Sequence, residues 1–240
     1  MYNLPVELFK QHKTTQYKLG LCKGDCFCPI CGSFTNEWLI FGKAHKTKCQ
    51  VCGSLGRHRH LFWRMAELDL FGTSKKILHI APEPLLRNIL LSLDASNYYD
   101  CDIQPGRARL CMDITNIDFE SNFFDLVICN HVLEHIRDDS KAVSELARVL
   151  TYKGTALITV PILSSGETYQ DDTADTPEKR IKAHRHFDHV RAYGLIGFRK
   201  LLEQNGFNFI ELNPNEYAQD TLLSMSQFQD TIFKCTKTQE

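Results

Sequence analysis

Four cysteines stand in two matched pairs, Cys28-Pro-Ile-Cys31-Gly and Cys49-Gln-Val-Cys52-Gly. Cysteines three apart can wrap one ion through a tight turn. The glycine after each pair permits the backbone conformation that such a turn needs. Two turns of this kind bring together four thiolates, the tetrahedral set that suits Zn2+, and the spacing between the pairs lies in the zinc-site range. Four thiolates close the site and leave no position for water, so the expected role is structural rather than catalytic. Cys22 and Cys26 are spares: either could replace a ligand, but neither forms a Cys-x-x-Cys pair.

The elements around these residues divide near residue 70. The front part, 1–70, carries the cysteine pairs, much Gly and Lys, and a linking helix from Arg57 to Leu70 with Leu61, Met65 and Leu68 on one face. Gly72, Thr73 and Ser74 punctuate its end. His58 and His60, interleaved with Arg57 and Arg59, read either as contacts for an anionic partner or as exposed surface. From 71 to 240 short apolar runs alternate with helical stretches. Strands are expected at Lys76–Ile80, Asn97–Cys101, Leu110–Met112, Asp125–Asn130, Thr155–Val160, Phe207–Leu212 and Thr231–Cys235. Helices are expected at Leu85–Leu93, after a cap at Asp138 or Asp139, and at Leu195–Gln204. This alternation predicts an α/β fold with a doubly wound, mostly parallel, Rossmann-like sheet, preceded by a small N-terminal zinc ribbon. Residues 161–194 show no clear period and read as a long functional loop.

Composition narrows the classes. Apolar residues make up 43% of the 240, enough for a substantial core. No run approaches the roughly 18 apolar residues that span a bilayer, so no membrane partner is expected. Met1–Gly20 lacks an apolar secretory core, which gives the expectation of an intracellular, cytoplasmic protein. In a reducing compartment ten cysteines point to metal or buried thiols, not disulfides. The formal charge of −1 hides an asymmetry: residues 1–64 hold ten Lys/Arg and three Asp/Glu, a net +7, and the remainder is −8. A basic front on an acidic body fits a polyanion-binding module or a solvated small ribbon.

Three stretches carry a resemblance. Phe123-Phe-Asp-Leu-Val-Ile-Cys-Asn-His-Val-Leu-Glu-His-Ile136 resembles the fourth-strand motif of class I S-adenosylmethionine-dependent methyltransferases of the type 11 kind. Arg148-Val149-Leu150, with Gly154 and a strand after it, resembles that family's turn into the fifth strand, and Asp113–Phe119 looks like its acidic segment before the fourth. Together they cover roughly residues 75–162. The resemblance implies a cofactor, S-adenosylmethionine, lying across the carboxyl ends of the strands. It implies that Asp102, with Asp100 as second choice, holds the ribose hydroxyls, that Asp113 and the backbone of Ile114 meet the adenine, and that Asn130 and His131 flank the methionine part. The family's first turn is rich in glycine. Here it reads His79-Ile80-Ala81-Pro82-Glu83, with small Ala81 and rigid Pro82 in place of glycine and Glu83 near the cofactor's amino group. The chain is identified as similar to a bacterial subset that pairs this Ala-Pro-Glu turn with a front zinc ribbon.

The same resemblance makes 161–194 a substrate-side insertion over the crevice mouth. In it His189 is the candidate base and Arg191 the candidate holder of an anionic substrate group, unless Asp188 and Arg191 simply pair to fix a loop. His131 and His135 lie four apart, but Glu134 directly precedes the second. With no convincing third ligand, the resemblance gives Glu134-His135 a structural role at a helix start. Methyl transfer to a polar small molecule or sugar is thus the leading expectation. Transfer to RNA, with the ribbon as the substrate-binding module, comes second. A non-catalytic binding protein on a degenerate fold, motivated by the missing glycines, is third.

Overall fold

The computed structural model describes residues 26–41, 45–72, 74–214 and 230–238. Met1–Gly20, Cys22 and Thr73 lie outside the described residues. The chain divides into two compact units. The first comprises Met1–Thr73 with Pro84–Leu93 and Leu212–Gln229, and the second comprises Ser74–Glu83, Asp94–Glu211 and Asp230–Glu240.

The first unit is built on short hairpins. Strand β1 (Cys26–Cys28) pairs antiparallel with β2 (Ser33–Thr35), and β3 (Leu39–Phe41) pairs antiparallel with β4 (His45–Lys48). A core of Cys26, Cys28, Trp38 and Cys49 fills the ribbon. Helix α1 (Gly56–Glu67) follows, two turns of its length buried as Arg59–Met65. Helix α2 (Pro84–Leu93) clusters with this unit, burying Leu86 and Leu90.

The second unit is a seven-stranded sheet. Its strands in chain order are β5 (Ile77–Ile80), β6 (Tyr98–Asp102), β7 (Leu110–Cys111), β8 (Phe124–Asn130), β9 (Leu150–Thr159), β12 (Phe207–Leu212) and β13 (Ile232–Lys237). Across the sheet the order is β12-β13-β9-β8-β5-β6-β7. Strands β9 to β7 are parallel neighbours, with Ile77 opposite both Tyr98 and Leu126; β13 runs antiparallel to β9, Phe233 facing Ile158. The central β8 is buried at every residue but Asp125, as a strand covered on both faces must be. Helix α3 (Asp139–Val149) is capped by the Asp138 carboxylate, which accepts from the Lys141 amide at 2.9 Å.

The expected strands and helices are present with ends moved by a few residues; β9 starts five residues earlier than its apolar run. The segment 161–194 departs from expectation. It contains β10 (Ile162–Ser164), α4 (Pro177–His184) and β11 (Tyr193–Gly194), and Tyr169 bridges Ala192. Helix α5 (Leu195–Gln204) follows. The chain steps outward from β5 through β6 and β7, then returns to β8 on the other side. The strand order therefore reverses between β5 and β8, the position at which open α/β sheets bind ligands beyond their carboxyl ends.

Candidate functional site

Two turns assemble a four-cysteine cluster that could hold a metal ion. Gly32 donates its amide to the Cys28 carbonyl at 2.8 Å, and Gly53 donates to Cys49 at 3.0 Å. Both glycines have positive φ, +69° and +75°, which frees each turn from Cβ strain. The sulfurs of Cys28, Cys31, Cys49 and Cys52 all lie within 4.8 Å of one another. Cys28 and Cys52 are 3.6 Å apart, Cys31 and Cys49 3.8 Å. A tetrahedron of Zn–S bonds of about 2.3 Å has edges of about 3.8 Å, which these two separations match. Cys26 is buried in the core of the ribbon and is not among the four.

Arg59 braces this centre. It is fully buried, donates to the Ser54 carbonyl at 2.6 Å and the Thr47 carbonyl at 2.7 Å, and stacks 3.8 Å over Trp38. Ser54 Oγ lies 3.3 Å from the Cys28 sulfur and 3.2 Å from that of Cys52. The guanidinium thus sets a positive charge beside thiolates whose complex with Zn2+ is dianionic. The exposed-surface reading of His60 is corrected: His60 is buried, as is its neighbour Arg59, while His58 is half-buried.

At the switch point, Ala81 adopts φ +45° and donates its amide to the Cys101 carbonyl at 2.7 Å. It takes the left-handed conformation that glycine would take more cheaply. Side chains hold the turn instead. Buried His79 hydrogen-bonds the Tyr98 hydroxyl through Nδ1 at 2.8 Å and Glu83 through Nε2 at 3.2 Å. Asn130 Nδ2 donates to the other Glu83 oxygen, and Thr159 Oγ1 donates to Asn130 Oδ1. One hydrogen-bonded chain thus links β6, β5, β8 and β9, running from Tyr98 at the start of β6 to Asn130 and Thr159 at the carboxyl ends of β8 and β9, and fixes which way the Asn130 amide faces.

Asp102, ending β6, accepts from the Gln104 amide at 2.8 Å and is half-buried. Asp100 is fully buried and held by Arg109 Nε at 2.5 Å. Asp113 is exposed and caps Thr115, accepting from its amide and hydroxyl at 2.8 Å, while Ile114 is buried beside it. The segment after it is clamped. Glu145 accepts from the Ile117 amide at 3.0 Å, and Arg148 donates to the carbonyls of Ile117 and Phe119 at 2.7 Å while pairing with Glu145. The Arg148 contact, opposed by burial and aided by the amide, pulls the Glu145 carboxyl down to about 2.

His131 leaves β8 with φ +55°. Its Nδ1 lies 3.2 Å from Glu134 and its Nε2 3.4 Å from Asp230. Burial lowers its pKa, but the two carboxylates outweigh it and raise the imidazole to about 9, a cation at neutral pH. His189 is the opposite. Burial first, then neighbouring His135 and His186, push it down to about 4 against the opposing charges of Glu134 and Asp188. Arg191 is buried with 2% exposure, paired to Asp139 and donating to the Arg137 carbonyl at 2.7 Å. Its partner is therefore Asp139, not Asp188, and it braces the loop after β8. Tyr193 joins it, donating to Asp139 at 2.7 Å.

Residues 72–158 match the family model described as a methyltransferase domain. The chain carries a methyltransferase domain. The matched span takes in Ala81, Glu83, Asp102, Asp113 and Asn130, and stops before His189 and Arg191. An uncharacterized protein of Methanocaldococcus jannaschii is 40% identical over 52 residues, 22% of this chain and 23% of that one. The chain thus spans about a quarter of the length of the curated relative it matches. Among solved structures, the cyclase SpnF superposes with a TM-score of 0.55 at 14% identity, covering 84% of this chain and 86% of its own. An S-adenosylmethionine dependent methyltransferase from Mesorhizobium loti superposes with a TM-score of 0.51 at 11% identity, covering 71% of this chain and 96% of its own. At such identities the methyltransferase domain shares a fold with these proteins, and that fold hosts both a cyclase and a methyltransferase. Among the described residues no helix is long and apolar enough to cross a membrane.

Proposed function

We propose that the domain transfers the methyl group of S-adenosylmethionine to a polar small molecule or sugar. The observation that supports this reading is that the Ala81 turn, Asp102, Asp113 and Asn130 stand at or just after the carboxyl ends of the parallel strands β5, β6, β7 and β8, within the span matching a methyltransferase domain. When bound, S-adenosylmethionine supplies a methyl group on a sulfonium centre, open to in-line displacement. Asp102 would accept from ribose hydroxyls at the end of β6. Asp113 and the Ile114 backbone would meet the adenine, on a segment immobilised by Glu145 and Arg148. Ala81, with its small side chain in a left-handed conformation, lets the turn approach a ligand closely. Asn130, locked by Glu83 and Thr159, presents a fixed polar group beside the methionine part. Positioning of this kind supplies most of the acceleration in a displacement that needs no covalent help from the protein. His189, neutral at physiological pH, is the candidate base. The four-cysteine centre would hold zinc as a structural ion for the ribbon.

The test is calorimetric titration of the zinc-loaded protein with S-adenosylmethionine and S-adenosylhomocysteine. Micromolar binding of both is expected. Folded protein that binds neither refutes methyl transfer and leaves a partner-binding module. The net +7 of residues 1–64 favours RNA as a second reading of the acceptor. RNA binding that weakens steeply with salt would support it over a small acceptor.

A further inference from the structure

A second constellation lies where the loop after β8 meets the end of the 161–194 segment. The short helix Leu133–His135 brings Glu134 and His135; the stretch 186–189 brings His186, Asp188 and His189. The ligand atoms of Glu134, His135 and His189 lie within 4.8 Å of one another, and so do those of His186, Asp188 and His189. His189 belongs to both sets. The His135 and His189 rings are 4.9 Å apart, and those of His186 and His189 are 4.5 Å apart. Asp188 sits between two of the rings, hydrogen-bonding His186 Nδ1 and lying 3.5 Å from His135 Nδ1.

We propose that these residues form a second metal site, separate from the four cysteines, for a divalent ion of borderline softness such as Zn2+, Co2+ or Ni2+. The two triads share His189 and between them offer three imidazoles and two carboxylates, a nitrogen-rich pool from which one ion would draw its ligands. Such a set suits these ions and not Mg2+ or Ca2+, which take oxygen ligands. The scaffold beneath is built to hold the two segments together. The Val190 amide donates to the Glu134 carbonyl at 2.9 Å, Arg191 donates to the Arg137 carbonyl and pairs with Asp139, and the Tyr193 hydroxyl lies 3.3 Å from the Leu133 carbonyl. Buried groups therefore fix the backbone on both sides; Glu134 is itself buried, while His135, His186, Asp188 and His189 are half-buried to exposed, open to an entering ion.

The ion's role rests on the proposed methyl transfer, with His189 then an ion ligand and the ion, in place of a free His189 base, activating the acceptor. The constellation includes the loop that follows Asn130 and carries His131, so a metal there would bind an acceptor hydroxyl and lower its pKa; its proton passes to solvent water, the oxygen bonds the methyl carbon as the sulfonium C–S bond breaks, and S-adenosylhomocysteine leaves. The class of acceptor this selects is a hydroxyl flanked by a second oxygen that can share the ion.

The experiment is a Co2+ titration of zinc-loaded protein, read by visible absorption and by metal content. One further ion per chain is expected, with the spectrum of nitrogen and oxygen ligands and without sulfur charge-transfer bands. His189→Ala and His135→Ala should each weaken it by about tenfold or more, the scale of lost metal-site contacts. His186→Ala should also weaken it, and at an exposed position it leaves packing intact. Cys49→Ser should leave this site in place. Metal content that stays at one per chain, or Co2+ affinity unchanged in the His135→Ala/His189→Ala double variant, overturns the proposal. Cofactor calorimetry reads methyl transfer independently: lost cofactor binding with the second ion retained refutes the enzyme and not the site.

Discussion

Glu145→Gln is the substitution whose effect follows most directly from the geometry. The Glu145 carboxylate is 7% exposed, pairs with Arg148 and accepts from the Ile117 amide. Its pKa falls from the ordinary 4.5 to about 2. Each pH unit is worth about 1.4 kcal/mol, so the charged form is favoured in the fold by about 3 kcal/mol. Arg148 is a third exposed, and solvent screening brings the figure to about 2–3 kcal/mol. The sign is that of a depressed carboxylate: the stabilisation is fully present above 4.5 and is lost as pH falls through about 2. The local reporter is hydrogen exchange at the Ile117 amide. At neutral pH the variant should exchange about 30- to 150-fold faster than the native protein. The difference should narrow as both are taken below 4.5. A carboxyl-carbon NMR titration of the native protein reads the Glu145 pKa itself. Titration at the ordinary glutamate value, or Ile117 exchange unchanged in the variant, would show that the clamp on the Ile117–Phe119 segment does not exist.

Three further outcomes are expected. Asp102→Ala should weaken S-adenosylmethionine binding by about 1–3 kcal/mol, the scale of hydrogen bonds to a charged group; unchanged calorimetric affinity would mean the ribose contact lies elsewhere. Ala81→Gly should raise stability to urea by about 0.5–1 kcal/mol, since φ +45° is strained for alanine, and a loss of that size would contradict the left-handed turn. Arg59→Met strips the donors from the Ser54 and Thr47 carbonyls and the positive charge from the thiolates, so zinc should pass to a chelator about tenfold faster. An unaltered release rate would reduce Arg59 to packing against Trp38.

What was legible in the sequence was what neighbours in the chain decide. The cysteine pairs announce themselves because each turn is local and its glycine immediate. The strands announce themselves because a sheet buried on both faces needs continuous apolar runs such as Leu126–Cys129. What was hidden depends on residues far apart. Arg191 finds Asp139, and Tyr169 finds Ala192, only after the chain has folded. The 161–194 elements are short and held by such contacts, so no periodicity betrays them. His135 lacked a third ligand in its own vicinity, since His186, Asp188 and His189 arrive from some fifty residues downstream. Arg59 drew no role of its own in the sequence because a buried guanidinium makes sense only beside the carbonyls it binds.

The chain of hydrogen bonds from Tyr98 through His79, Glu83 and Asn130 to Thr159 also bears on how the protein can be altered. It acts as a tie-bar across four strands. To widen the floor at its centre, β5 and β8 must separate, and separation breaks contacts made by the buried His79 and Asn130. A floor braced in this way cannot be reshaped one residue at a time. Attempts to redirect the protein to a new acceptor should therefore leave the five tied residues alone and recombine the exposed positions between Gly166 and His189.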